Sequence, residues 1–157
     1  MRILLLLLSL LCAGWAHAER LSGVVVVVID GDTVLFKPDH YSPASRAFVK
    51  VRLAGIDAPE AGQPHGDAAT QALKALVLKR RAVLEIVATD VYGRRIGNLD
   101  VDGVRVNRDM VRRGHAWASQ RASRDMRAVE AEARDLRAGL WGDASPVPPW
   151  VWRRSSN

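Results

Sequence analysis

A small Greek-key β-barrel with helical cover, α+β and mainly β, is the fold class that the sequence predicts. Two observations carry that prediction. Short β-branched or alternating apolar runs are separated by Asp-Gly turns, the pattern of successive hairpins. Stripes at three- and four-residue spacing, the mark of amphipathic helices, appear only between and after those runs. No internal repeat and no second domain interrupts the order.

The elements follow from the N-terminal side. Val24 to Ile29 is a β-branched run that ends at Asp30-Gly31-Asp32, a tight-turn sequence, and Thr33 to Lys37 is the returning strand. Pro38 to Ser45 is rich in turn formers and reads as an exposed loop. Ala47 to Ala54 alternates, with Val49, Val51 and Leu53 on one face, so Arg52 points away from it. From Asp67, a candidate N-cap, the residues Ala69, Ala72, Leu73, Leu76 and Val77 form one helical stripe that runs to about Lys79. Ala82 to Ala88 alternates around Leu84 and Ile86, and Arg95 to Val101 turns at Asp102-Gly103 into Val104 to Val106. Asn107 is placed to cap a short helix ending at Gly114. Ser123 is placed to cap a last helix striped by Met126, Val129, Ala133, Leu136 and Leu140, with Gly139 as its left-handed stop. Strands in short hairpins, interrupted and followed by helices, predict a five-stranded OB-fold Greek-key barrel with about three helices.

The ends lie outside that scaffold. Arg2, the apolar run Ile3 to Leu11 and the small-x-small ending Ala16-His17-Ala18 read as a secretory signal peptide over residues 1–18. The apolar run is short for a membrane span, and Leu11 before Cys12 does not match the small residue of a lipoprotein site. The folded domain is then expected over residues 19–144, and Ser145 to Asn157 as an extended tail rich in Pro, Trp and Arg. No cysteine follows Cys12, so the domain relies on a hydrophobic core without disulfides. The formal net charge is +6, and the leader contributes one base and no acid to it. Such a balance favours an anionic partner, although a basic surface alone also confers solubility.

Three clusters stand apart from the scaffold: "DGDTV" with Asp30 and Asp32, "RLAGIDAPE" with Arg52, Asp57 and Glu60, and "DVYGR" with Tyr92 and Arg94. Each has a plain reading alone. The first is a hairpin turn, the second a polar loop in which Glu60 caps a helix or Arg52 pairs with Asp57, and the third a loop with a half-buried tyrosine. In this order, before a helix that closes in "GLW", they resemble the staphylococcal nuclease-like (thermonuclease) family from about Val24 to Trp141.

That resemblance implies an OB barrel capped by helices and a calcium-dependent endonuclease that hydrolyses phosphodiester bonds of DNA and RNA, preferring single-stranded or frayed substrate. The signal peptide, for its part, predicts an exported protein, periplasmic or secreted, with no stable membrane anchor after cleavage, and a monomer is expected. Matched by motif, Asp32 and Asp57 correspond to the Ca2+-binding carboxylates and Ala58 to a backbone-carbonyl ligand. Asp30 corresponds to an acid that shapes the metal site, Arg52 and Arg94 to the phosphate-binding arginines, and Glu60 to the proposed general base. Tyr92 is placed to hydrogen-bond a phosphate or stack on a base.

The chemistry accounts for these residue types. Calcium takes hard oxygen ligands, which two carboxylates and a carbonyl supply and which histidine and cysteine do not. A guanidinium keeps its proton and donates paired hydrogen bonds to phosphate oxygens. Glu60 either accepts a proton from the attacking water or orients it. Two positions depart from the family pattern: its threonine beside the metal aspartate is Ala58 here, and the lysine before Tyr-Gly-Arg is Val91. His40, His65 and His115 lack metal-ligand spacing and are assigned to loops or surface. Arg80-Arg81, Arg94-Arg95 and Arg112-Arg113 are solvated faces or a track for a phosphate backbone. The alternatives to an enzyme are a noncatalytic OB-fold nucleic-acid-binding module and a basic protein that meets anionic lipid or polymer. The second leaves the Asp-Asp-Glu-Arg-Arg set unexplained.

Overall fold

The computed structural model describes residues 19–155; the expected signal peptide lies outside them. Strand β1, Glu19–Val28, pairs antiparallel with β2, Thr33–Pro38, and on its other edge with β5, Arg81–Thr89. Strand β2 pairs with β3, Val49–Leu53, and β5 with β6, Arg95–Val101. The barrel closes where β3 meets β6 in parallel, with Val51 opposite Arg95, Arg52 opposite Ile96 and Leu53 opposite Gly97. Glycine is required at 97, because a Cβ there would stand 2.7 Å from the Leu84 side chain and 2.8 Å from the Glu85 carbonyl oxygen. The result is the expected closed five-stranded barrel, with the short β7, Val104–Arg105, added outside it on β6.

A second small sheet joins β4, Ile56–Asp57, to β8, Trp117–Ala118. Four α-helices cover the barrel among the described residues: α1, Gly66–Val77; α2, Val106–Arg112; α3, Arg124–Asp135; and α4, Pro149–Ser155. The alternation of the strands turns Val25, Val34, Phe36, Val51, Leu53, Leu84 and Leu99 inward, where Leu73 of α1 and Met110 of α2 complete one buried core. Trp117, Leu140 and Trp141 form a second cluster, and Trp150 packs against it. None of the described helices is long and apolar enough to cross a membrane.

Four boundaries differ from the sequence expectation. Helix α1 begins at Gly66, not at an Asp67 cap, since His65 takes a left-handed φ of 68° as the N-cap without a capping side chain. Asn107 is not a cap either but lies inside α2, buried, where its carboxamide oxygen accepts from the Leu99 N–H and its amide donates to the carbonyls of Ala54 and Gly97. Helix α3 keeps its Ser123 cap, which accepts from the Met126 N–H, but stops at Asp135, before Gly139. Arg137, at φ 52°, ends it instead: the Ala138 N–H reaches the Ala133 carbonyl and the Arg137 N–H that of Arg134, the paired bonds of a Schellman motif. Leu136 is thereby left exposed. Gly139 serves close contact, for a Cβ there would stand 2.3 Å from the Gly114 carbonyl oxygen. Lastly, the tail is not extended throughout, since Pro149 starts helix α4.

Asn107, itself buried, joins backbone groups of β6 to the β3–β4 connection through the Leu99 N–H and the carbonyls of Gly97 and Ala54. Asn107→Ala is expected to cost about 2–4 kcal/mol, because each orphaned buried group carries its own desolvation penalty. Urea unfolding midpoints of the two proteins measure it.

Candidate active site

Three chain segments converge outside the barrel wall. The β1–β2 turn delivers Asp32, whose N–H donates to Asp30 Oδ1 at 3.0 Å, so the first acid of the turn orients the second. Gly31 permits this turn to lie against α1, where a Cβ would meet those of Ala58 and Ala69 at 2.7 and 2.8 Å. Asp32 is buried and each of its oxygens accepts a hydrogen bond: Oδ1 from the Thr33 hydroxyl at 3.1 Å and Oδ2 from the Ala58 N–H at 2.7 Å. Strand β4 delivers Asp57, also buried, and the chain after it carries Ala58, Pro59 and Glu60.

Arg52 joins the two acids. Strand alternation sends it out of the barrel between inward Val51 and Leu53. Its Nη2 donates to Asp57 Oδ1 at 2.9 Å, and its Nη1 lies 2.5 Å from Asp32 Oδ2 as an ion pair without hydrogen-bond alignment. One guanidinium spanning both carboxylates places them within reach of a single cation. The structural salt bridge foreseen between Arg52 and Asp57 therefore exists, and it forms part of this larger cluster.

The β5–β6 loop brings the third segment. Asp90 accepts from the N–H groups of Tyr92 and Arg94 and from Arg94 Nε at 2.7 Å, which folds the loop and aims the guanidinium. Desolvation acts to raise the Asp90 pKa, but the hydrogen bonds from Arg94 and Tyr92 outweigh it and lower it. Tyr92 is 81% exposed, with its ring centroid 5.7 Å from the Arg94 guanidinium carbon. Val91, at 93%, stands bare beside it.

A cleft of about 410 Å³ unites Asp30, Asp32, Arg52, Ala58, Glu60, Tyr92 and Arg94. Asp57 is bonded to two of its lining residues, Arg52 and Arg153. All the residues singled out from the three motifs thus meet in one place. His40, His65 and His115 do not: His40 is exposed, and His65 pairs with Asp143 at 2.8 Å.

Three further residues bear on the cleft and were not singled out: Thr33 and Arg153 line it, and Gln63 braces the Glu60 loop from outside it. Thr33 holds Asp32, as described. Gln63 accepts the Glu60 N–H at 3.0 Å and donates to the Val147 carbonyl at 2.6 Å, so it ties the Glu60 loop to the tail. Arg153 of α4 reaches Asp57 and Glu60 across the sequence. Glutamine three residues after Glu60 was a legible signal for a loop clamp; no periodicity or motif marks Arg153.

The donor set fits a hard divalent cation. Two carboxylates from separate segments meet beside the Ala58 backbone, with no soft ligand among them. No group of three or more His, Cys, Asp or Glu side chains arranged to hold a metal exists among the described residues, so backbone and solvent oxygens would complete the shell. Calcium, which accepts irregular oxygen shells, suits such a site. Asp32 supports this fit: burial pushes its pKa up to about 7, with Asp30 and Asp57 adding to the rise and Arg52 and the Ala58 N–H opposing it. A buried carboxylate whose burial Arg52 only partly offsets is favoured by a further cation.

A closed five-stranded barrel with acids and arginines gathered in one cleft defines an OB-like barrel protein with a charged site on its wall. The staphylococcal nuclease homologue model matches residues 50–143, and the chain belongs to that family. It is 41% identical to a protein named uncharacterized endonuclease from Escherichia coli O157:H7 over 134 residues, covering 83% of this chain and 84% of that one. Identity is 41% to Protein ParB of Escherichia coli over 161 residues, with coverage of 94% and 87%. It is 37% to a micrococcal nuclease of Shigella flexneri over 147 residues, with coverage of 85% and 81%.

The raised pKa of Asp32 sets a pH dependence. A carboxyl that binds its proton more tightly in the folded chain stabilises the fold at low pH and loses that contribution as pH rises through about 7. Asp32→Asn, which removes the titration, is therefore expected to raise the chelator-treated protein's thermal midpoint more at about pH 8 than at about pH 5. An equal change at both pH values would refute the assignment.

Proposed function

We propose that this nuclease is an exported, calcium-dependent, sugar-nonspecific endonuclease that hydrolyses phosphodiester bonds of DNA and RNA. Asp32, Asp57 and the Ala58 carbonyl would hold the cation. The observation that carries the reading is the Arg52 guanidinium set between two buried carboxylates, in the same cleft as Glu60 and Arg94. The relatives named as nucleases support the reaction class.

Bound there, calcium would supply charge that polarises the phosphate and eases ionisation of water. The chain's own residues do the rest. Arg52, anchored by Asp57, and Arg94, aimed by Asp90, donate to phosphate oxygens from two sides and stabilise the negative charge that grows as the phosphorus gains its fifth oxygen. Glu60 stands at the cleft rim, its N–H fixed by Gln63, where its carboxylate takes or orients the proton of the attacking water. Tyr92 offers an exposed ring beside Arg94 as a stacking surface for an unpaired base. None of these groups reads a base edge, which suits cleavage at accessible, single-stranded or frayed sites in either nucleic acid.

Cleavage of single-stranded DNA and of RNA, with calcium and then with excess chelator, tests the proposal. Calcium-dependent cleavage of both is expected, and Asp57→Asn should abolish it. Glu60→Gln should lower kcat by about 10²- to 10⁴-fold with substrate binding retained. Arg94→Ala should lower kcat by about 10²- to 10³-fold. Binding without cleavage under any divalent cation would establish the noncatalytic binding module instead.

A further inference from the structure

The C-terminal helix brings a guanidinium to the acids that the proposed mechanism needs free. Arg153 Nη2 donates to Asp57 Oδ2 at 2.8 Å and Nη1 to Asp57 Oδ1 at 3.2 Å, and Nη1 also contacts Glu60 Oε1. Both oxygens of the second acid and one of the third are engaged by a single side chain. These hydrogen bonds to Asp57 and Glu60 raise the Arg153 pKa, against a smaller desolvation effect.

The helix is docked, not merely nearby. Pro149 is buried, Trp150 packs against the Trp117, Leu140 and Trp141 cluster, and the Val147 carbonyl accepts from Gln63. Pro149 and Arg153 are four residues apart on a helix, so the face that docks is the face that presents the guanidinium.

We propose that Arg153 is a built-in, exchangeable counter-cation of Asp57 and Glu60, which a divalent cation displaces when it takes Asp57 as a ligand. This rests on the metal reading of the site given above. Arg52 and Arg153 already crowd the Asp57 oxygens, and a divalent cation arriving there needs the lone pairs that Arg153 now occupies and repels its guanidinium. Exposure decides which arginine yields. The Arg153 and Glu60 side chains are 46% and 39% exposed, whereas Arg52 and Asp57 are 18% and 10% exposed. Arg153 exchanges its partners for water at little loss, while Arg52 stays in the buried cluster. The tail helix thus lowers the apparent affinity for the cation and shields Glu60 until the cation enters.

Calcium titration of the chelator-treated protein by isothermal calorimetry tests this without any turnover. Arg153→Ala and Arg153→Gln should each bind calcium at least about tenfold more tightly than the parent, a change of about 1.4 kcal/mol. Arg154→Ala, a neighbouring exposed arginine, should leave the affinity unchanged. In the unaltered protein, saturating calcium should speed amide hydrogen exchange across residues 149–155, which reports release of the helix independently of any substitution. Equal or weaker calcium binding by both Arg153 variants would overturn the exchange while the metal reading stands. Slower exchange across the helix on adding calcium would do the same. Absence of calcium binding in the parent and in every variant would overturn both.

Discussion

The parallel contact between β3 and β6 is the constraint on which the remaining structure depends. Its register sets Val51 and Leu53 inside the barrel and leaves Arg52 outside, opposite Ile96. The same register fixes where the β5–β6 loop ends, since Arg95 is the residue opposite Val51. Arg94 therefore emerges beside the strand that carries Arg52, although it lies 42 positions further along the sequence. A slip of one residue would turn every side chain of β3 to the other face, burying Arg52 and expelling Val51. Gly97, with no Cβ to strike Leu84 and Glu85, lets β6 lie close against β5 while it pairs with β3 on its other edge.

Closure brings the acids into a site that electrostatics then organises. Asp32 and Asp57 are buried, which would be costly for two carboxylates without a partner. Arg52 lies between them and offsets part of that cost; the Ala58 N–H and the Thr33 hydroxyl satisfy further lone pairs on Asp32. What is left is the unrelieved burial that raises Asp32. Asp32 is thus held at the edge of ionisation, a state that a resident cation would resolve.

Much of this was legible in the sequence because its signals are local. Alternation around Val49, Val51 and Leu53 gave a strand and its outward Arg52, and Asp30-Gly31-Asp32 gave the turn. The acids and arginines could be named because they stand in short motifs with fixed spacing. What escaped were features decided by distant backbone. Asn107 has the composition of a cap, yet the carbonyls of Ala54 and Gly97 and the Leu99 N–H claim its side chain. Gly139 has the composition of a helix stop, yet its use is to lie against Gly114 while Arg137 ends the helix. Arg153 is the extreme case. Its role depends on where helix α4 docks, and nothing in a Pro- and Trp-rich tail encodes the position of Asp57, 96 residues away.

Counting charges in the cleft leads one step further. Arg52 is held by Asp32 and Asp57, Arg94 by Asp90, and Arg153 by Asp57 and Glu60. Every one of these guanidiniums already has a carboxylate partner, so the net charge of +6 is not what a phosphate would meet at this spot. With Asp30 also at the rim, the acids outnumber the arginines. A phosphate group entering such a cleft must replace carboxylates as the arginines' partner, which is unfavourable while those carboxylates have no other counter-charge. In the proposed mechanism a divalent cation supplies that counter-charge. Asp57 and Asp32 would hold it, and the donors of Arg52 and Arg153 that those acids now engage would be open to substrate. Cation dependence would then enter at substrate binding as well as at bond cleavage, because the cleft's positive charge is latent until its acids are otherwise engaged.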